Sequence, residues 1–379
     1  MSRILVVAVC CFSIGAIAQT SAPPLASHQV NADDTITFRY AAPAATKVVV
    51  GIDAYPKPLA MTKDASGVWS VRTGVLPPEY YGYHFVEDGV DKLDPLNPNT
   101  IENYASLGDI VLIPSRPAAP WELTDIPHGR VDRHLYATTV ARNLPENQES
   151  YMVYTPPGYH AKRKGGYPVL YLLHGWSDTA NGWTGNGHAD LILDTLLAEK
   201  KAVPMIVVMP LGYGDLDFVT HGFRVWNDPA KVSGNVDLFS KMLLTEIVPA
   251  VEREYDVAAG RENRAIAGLS MGGLESLTIG LNHPELFAYV GGMSAAVFGG
   301  KDAAFEAEIP NLDAKKASLK LLWVACGKAD GLFAANQEFI AWTKTKGFAP
   351  VAVETAGAHT WLTWRDDLLQ LAPLLFVSK

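Results

Sequence analysis

Cysteine is scarce: there are three in 379 residues. Two of them, Cys10 and Cys11, lie in an apolar N-terminal run, so a chain that loses this run keeps only Cys326 and can form no internal disulfide. Long apolar stretches are scarce too, and beyond residues 4–17 none is long and uninterrupted enough to cross a bilayer. Positive charge is thin. The formal net charge is −9, and the one dense basic run, Lys162-Arg163-Lys164, reads as a solvated turn in a Gly-containing loop. An acidic surface repels polyphosphate, so nucleic acid is not an expected partner. No cluster of Cys, His or carboxylate has metal-ligand spacing, and neither a G-x-G-x-x-G nor a P-loop occurs, so no metal and no cofactor is expected.

What is present begins with residues 1–18, which carry Arg3, an apolar run and small residues at Ala16 and Ala18. This is the pattern of a secretory signal peptide cleaved after Ala18, and it implies a secreted or periplasmic protein with no membrane association after cleavage. A lipoprotein anchor at Cys10 or Cys11 fits poorly because Val9 stands where a small residue is needed.

The length favours two packed units. After a linker at 19–30, residues 31–114 read as short strands rich in β-branched and aromatic residues ("TITFRY", "KVVVGI", "YYGYHFVEDG", "DIVLIP"), with turn residues every ten positions or so. That predicts a small immunoglobulin-like β-sandwich. Trp69, Tyr81, Tyr83 and Phe85 are expected to fill its core rather than form a sugar-stacking platform. A Pro-rich linker at 115–130 follows. From residue 131 onward apolar runs ending in Gly or a small residue ("YPVLYLLHG", "PMIVVMPLG", "NRAIAGLS", "YVGGMSA", "LKLLWVACG") alternate with amphipathic segments at 188–200, 237–254, 271–282 and 333–346. Strands buried on both faces and alternating with helices predict an α/β fold with a mainly parallel sheet, whose functional groups gather at the strands' carboxyl ends.

Gly268-Leu269-Ser270-Met271-Gly272 matches G-x-S-x-G between a predicted strand and a predicted helix. The glycines suit a tight turn that exposes the serine hydroxyl. A serine needs a base to take its proton. Downstream, His283 is carried roughly 20 Å away along the helix, which leaves His359 in "ETAGAHTWLTW". Asp330, in the loop after "LKLLWVACG", is the carboxylate expected to hold the imidazole; Glu275, Glu306, Glu308 and Asp313 fit less well. Ser270, Asp330, His359 follows the chain order of an α/β-hydrolase. The backbone amides of Met271 and of Trp176, in "LLHGWSDTANGW", are the expected oxyanion donors, and His174 in that stretch is read as structural.

"LLHGWSDTANGW", "IAGLSMGG", "VACGKADG" and "AGAHTWLTW" resemble, in order and approximate spacing, the motifs of the esterase-D-like superfamily. This group includes the feruloyl and acetylxylan esterases of carbohydrate esterase family 1, enterochelin esterases and antigen 85 mycolyltransferases. The resemblance covers roughly residues 130–379 and implies the same nucleophile, acid, base and oxyanion residues. "YYGYHFVEDG" and "LDPLNPN" resemble the early-set domain of the carbohydrate-binding-module-48 type that precedes many such esterases. The expected activity is a secreted serine carboxylesterase acting on acyl esters of plant polysaccharide, with feruloyl esters first, acetylxylan second and a siderophore ester third. A non-catalytic carbohydrate-binding protein and an acyltransferase are the competing classes. Trp183, Tyr213, Trp226, Phe298 and Trp361, with Trp176, fall in or beside the loops of the expected catalytic rim and are candidates for substrate binding.

Overall fold

The computed structural model describes residues 25–297 and 302–377, so the signal sequence expected at 1–18 and Phe298 lie outside the described residues. Among the described residues the N-terminal region has nine short strands: β1 (His28–Val30), β2 (Ile36–Ala41), β3 (Val48–Ile52), β4 (Leu59–Ala60), β5 (Thr62–Lys63), β6 (Val68–Arg72), β7 (Glu79–Glu87), β8 (Val90–Lys92) and β9 (Asp109–Ile113). They form two antiparallel sheets, ordered β1-β2-β6-β5 and β4-β3-β7-β8, with β9 also paired to β7. Alternation along β7 turns Tyr81, Tyr83 and Phe85 inward. There they meet Ile36, Phe38, Val50 and Trp69 in one core shared by both sheets. Trp69, Tyr81, Tyr83 and Phe85 are all buried, so they are core residues, as expected. The first strand begins inside the stretch read as a linker. Residues 114–129 contain no helix or strand, yet Glu122 is buried there and accepts the Ser115 and Ala119 amides.

The rest of the chain builds β10 (Arg130–Ala137), β11 (Gln148–Thr155), β12 (Val169–Leu173), β13 (Ile206–Pro210), β14 (Arg264–Leu269), β15 (Tyr289–Met293), β16 (Leu321–Gly327) and β17 (Val351–Thr355). Around them lie α1 (Ala189–Ala198), α2 (Asp217–Thr220), α3 (Pro229–Met242), α4 (Val248–Glu254), α5 (Ser270–Asn282), α6 (Asp302–Glu308), α7 (Ala314–Ala317), α8 (Phe333–Thr345) and α9 (Trp361–Leu371). The sheet order is β10-β11-β13-β12-β14-β15-β16-β17. The β10–β11 and β11–β13 pairs are antiparallel and all the others parallel, which is the mixed, mostly parallel sheet of an α/β-hydrolase.

Both faces of this sheet are covered. Val169, Tyr171 and Leu173 of β12 pack into a cluster with residues of α3, α4, α5 and α8, while Leu170 and Leu172 join an opposite cluster with α1 and α9. The period of two in a strand divides one apolar run between two cores. The helix expected at 237–254 starts earlier, at Pro229, where the Asp228 side chain accepts the Ala230 and Lys231 amides. It is interrupted by one wide turn, Leu243–Ile247. Pro249 just beyond has no N–H to continue the ladder.

The chain passes from β12 to its neighbour β13 and then crosses back to β14 on the other side of β12. The carboxyl ends of β12 and β14 therefore meet where the winding reverses, the place where α/β sheets leave an open crevice.

Candidate active site

Ser270 sits between β14 and α5 in a left-handed backbone conformation, φ 52°. A non-glycine residue there is strained by about 1–2 kcal/mol, and the surrounding packing holds it. A Cβ on Gly268 would lie 2.3 Å from the Gly272 carbonyl oxygen, and one on Gly272 would lie 2.5 Å from the His174 carbonyl oxygen. The two glycines of the motif are thus required by close backbone approach rather than by their own torsions. The Ser270 hydroxyl donates to His359 Nε2 at 2.9 Å, and His359 Nδ1–H donates to Asp330 Oδ2 at 2.8 Å.

Asp330 follows β16 and its side chain is 1% exposed, whereas that of His359 is 36% exposed. Burial pushes the Asp330 carboxyl up, but hydrogen bonds from His359, the Leu332 amide and Ser294 outweigh it and hold the group below the usual carboxylate range. The two loops are tied together by Ala329 N–H to Gly357 O at 2.9 Å and Lys328 N–H to Thr355 O at 3.0 Å. Trp364 stands edge-on to the imidazole with ring centres 4.9 Å apart. The His359 imidazole is oriented from two sides, by a carboxylate and by an aromatic wall. Glu275, also on α5, is fully buried and held by Asn235, and burial raises its carboxyl well above the ordinary range. It does not reach the imidazole's place.

After β12 the chain turns through His174, Gly175, Trp176, Ser177 and Asp178. A Cβ on Gly175 would meet Leu269 Cδ1 at 2.7 Å and Ser270 Cβ at 3.3 Å, so this turn lies directly against the serine. The Gly272 amide donates to the His174 carbonyl at 3.1 Å and ties the turn to α5. Met271 lies in the first turn of α5, where the helix offers its N–H no acceptor. Backbone of two different elements, the Gly175 turn and the start of α5, therefore borders the serine. His174 is buried, its Nδ1 meets the Gly175 carbonyl at 2.7 Å, and its Nε2 accepts the Gly212 amide at 2.9 Å. Burial lowers this imidazole to about 4, so it is a neutral structural group, in keeping with its sequence reading.

The aromatic residues expected at the rim divide. Trp183 and Tyr213 are fully buried: Trp183 donates to the Leu173 carbonyl at 2.9 Å, and Tyr213 donates to the Asp178 carbonyl at 3.2 Å. Both are corrected from substrate-binding to scaffold residues, because the loops that carry them fold their rings under the rim to satisfy strand-end and turn carbonyls. Trp226 is half-buried against Phe218, ring centres 5.0 Å apart. Trp361 is half-buried between Trp183 and Trp364, at 5.2 and 5.3 Å. Trp176 donates its indole N–H to the Phe218 carbonyl at 2.9 Å and meets Phe223 edge-on at 5.4 Å. Phe223 is 68% exposed.

Residues 144–375, more than half of the chain, match the family model described as "Putative esterase". The chain belongs to the esterase family. This chain is 32% identical over 354 residues to an endo-1,4-beta-xylanase/feruloyl esterase of Xylanibacter ruminicola, covering 92% of this chain but only 45% of that enzyme. To an acetyl esterase of Caldicellulosiruptor saccharolyticus it is 24% identical over 229 residues, 52% of this chain and 78% of the other. Among solved structures, the enterobactin esterase of Shigella flexneri shares the fold over 90% of this chain and 92% of its own, with a TM-score of 0.65 at 19% identity. A CE1 ferulic acid esterase of Anaeromyces mucronatus does so over 67% and 93%, with a TM-score of 0.57 at 22% identity.

Sequence reasoning missed Ser294 beside Asp330, Phe223 beside Trp176, and the contacts that Asn103 and Tyr104 make with Asp178 and Ser177. Ser294, in the left-handed region at φ 45° just past β15, follows a strand end, which could have marked it. Nothing in the local pattern marks the others.

Proposed function

We propose that this esterase is an exported serine carboxylesterase that cleaves hydroxycinnamoyl, above all feruloyl, esters of plant polysaccharide. The observation that carries the chemistry is the unbroken hydrogen-bonded series Ser270–His359–Asp330 on a strained strand-to-helix turn. His359 Nε2 takes the proton as Ser270 Oγ attacks the ester carbonyl, and Asp330 stabilises the resulting imidazolium. The Met271 and Trp176 amides donate to the oxyanion. Collapse of the tetrahedral intermediate expels the sugar alcohol, which takes the proton back from His359. Water, deprotonated by the same imidazole, then resolves the acyl-enzyme to the free acid and Ser270.

The acyl group is argued from the surface beside Trp176. Exposed Phe223 and half-buried Trp176 form an aromatic corner next to the proposed oxyanion turn, and such a surface suits a planar aryl acid better than an acetyl group. The feruloyl esterase activity in the name of the Xylanibacter ruminicola relative supports this choice. The signal-like residues 1–18 support export, and insoluble polysaccharide lies outside the cell.

A panel of methyl hydroxycinnamates and p-nitrophenyl acetate, given to the parent and to Ser270→Ala, tests the reading. The variant is expected to lose on the order of 10⁴ to 10⁶ in kcat. Near-parental turnover by Ser270→Ala removes the mechanism. Release of acetate but not ferulate from the same xylan moves the substrate to acetyl esters.

A further inference from the structure

The turn that carries Trp176 is gripped on one side by α5, through Gly272 N–H to His174 O. On its other side it is gripped by the N-terminal region, through the loop between β8 and β9. The Tyr104 amide donates to the Ser177 carbonyl at 2.7 Å. The Asn103 side-chain amide donates to Asp178 Oδ1 at 3.2 Å, and the two residues form an isolated antiparallel bridge. Thr179 Oγ donates to Glu102 Oε2 at 3.2 Å. Tyr104 also sets its ring edge-on to Tyr213, 5.8 Å between centres, and Tyr213 in turn donates to the Asp178 carbonyl.

Two features make this more than ordinary packing. Ser177, immediately after Trp176, is in the left-handed region at φ 74°, a conformation a serine keeps only when its surroundings hold it. The hydrogen bond that restrains its carbonyl comes from the other sheet system. The Asn103 carboxamide is also aimed: its Oδ1 accepts the Ala105 and Ser106 amides at 2.9 and 3.1 Å, which leaves the NH₂ to face Asp178. Asp178 is buried, so a lost donor is not replaced by bulk water.

We propose that residues 102–104 of the N-terminal β-region are positioning residues for ester hydrolysis, with Asn103 and the Tyr104 amide holding the 175–178 turn so that the Trp176 N–H points at the developing oxyanion. The β-region is then part of the catalytic apparatus without touching the reacting atoms. This deepens the serine-esterase reading and rests on it. Because the hydrogen bond to the oxyanion is strongest in the transition state, loosening the turn lowers kcat and leaves KM nearly unchanged.

The test uses the full chain with Asn103→Ala and Asn103→Asp, p-nitrophenyl acetate and methyl ferulate at pH 8, and rates normalised to the end-point of fluorophosphonate labelling. Asn103→Asp keeps an acceptor for Ala105 and Ser106 but puts a second carboxylate where the donor to Asp178 stood, whereas Asn103→Ala removes the donor without adding charge. Both variants are expected to lose about 10- to 100-fold in kcat per labelled site with KM within about twofold. An arylboronic acid, which forms a tetrahedral adduct on the serine, should weaken by the same factor, while free ferulate as a competitive inhibitor should not. Parental kcat per labelled site in both variants overturns the proposal, as does an equal loss of ferulate binding. If Ser270→Ala is inactive while Asn103→Asp is parental, the serine-esterase reading stands and only the positioning role falls.

Discussion

Replacing Asp330 with Asn separates orientation from charge at the His359 imidazole. Asp330 Oδ1 accepts the Leu332 amide at 2.8 Å, and Oδ2 accepts His359 Nδ1–H at 2.8 Å. An asparagine in the same rotamer must keep its oxygen toward the Leu332 N–H, because turning the NH₂ there would set two donors face to face. Its NH₂ then faces Nδ1, which answers with a lone pair, and the ring proton moves to Nε2. An Nε2–H pointed at Ser270 cannot take the serine's proton. An imidazole held in the wrong tautomer costs about 10⁴ in kcat, or about 5 kcal/mol of transition-state stabilisation. Asp330→Ala leaves the tautomer free and so should lose less than Asp330→Asn, although it removes more atoms. Stopped-flow hydrolysis of p-nitrophenyl acetate, with the thermal midpoint as a folding control, measures both. An asparagine variant within tenfold of the parent, or more active than the alanine variant, refutes the tautomer argument.

Two further predictions concern stability. Glu79 of β7 and Arg365 of α9 form a buried pair at 2.7 Å, with side chains 9% and 4% exposed, and Arg365 Nε also donates to the Asn186 carbonyl. Burial raises the Glu79 carboxyl even against the Arg365 charge. The pair as a whole therefore adds little, while either charge left alone costs about 3–5 kcal/mol; Glu79→Met and Arg365→Met should each show that loss in urea denaturation and the double variant most of its recovery, and additive losses would sink the idea. Glu149 on β11 is buried with Oε2 unpartnered, and burial pushes it up to about 8 against the Ser150 amide that it accepts. Between its unfolded range near 4.3 and that value, the native state holds a proton the unfolded chain has released, so this group removes stability as pH rises, by about 1.4 kcal/mol per pH unit. Glu149→Gln should flatten the fall in unfolding free energy from pH 5 to pH 8, and an unchanged slope would show that the carboxyl is not titrating there.

The buried parallel strands, the longer strands of the N-terminal sheets and the helical segments at 188–200, 237–254, 271–282 and 333–346 were legible because burial leaves a period in the chain. "VLYLL" at 169–173 and "IVVMP" at 206–210 have no polar position because both faces of the sheet are covered. The alternating aromatics of β7 announced a half-buried strand. The antiparallel strands β10 and β11, the short strands β1, β4, β5 and β8, and the helices α2, α6, α7 and α9 went unread. β10 is an edge strand of largely exposed residues, and the burial of α9 includes Arg365 and Asp367, which no apolar periodicity could reveal.

The sequence by itself determined the chemistry on offer: a serine between glycines at a strand end, a carboxylate after a later strand, an imidazole after the last. Chain order and strand-end position are local properties, and the parallel sheet turns them into proximity by putting all its carboxyl ends on one rim. Only the tertiary structure decided which groups around that rim are reachable and which are scaffold. Trp183 and Tyr213 look like wall residues in the sequence, but they are spent on backbone carbonyls in the interior. Asn103 and Tyr104 look like loop residues of another unit, but they grip the turn beside Ser270. Their partners lie more than seventy residues away along the chain, and a contact between non-periodic polar groups that far apart leaves no trace in composition, spacing or pattern.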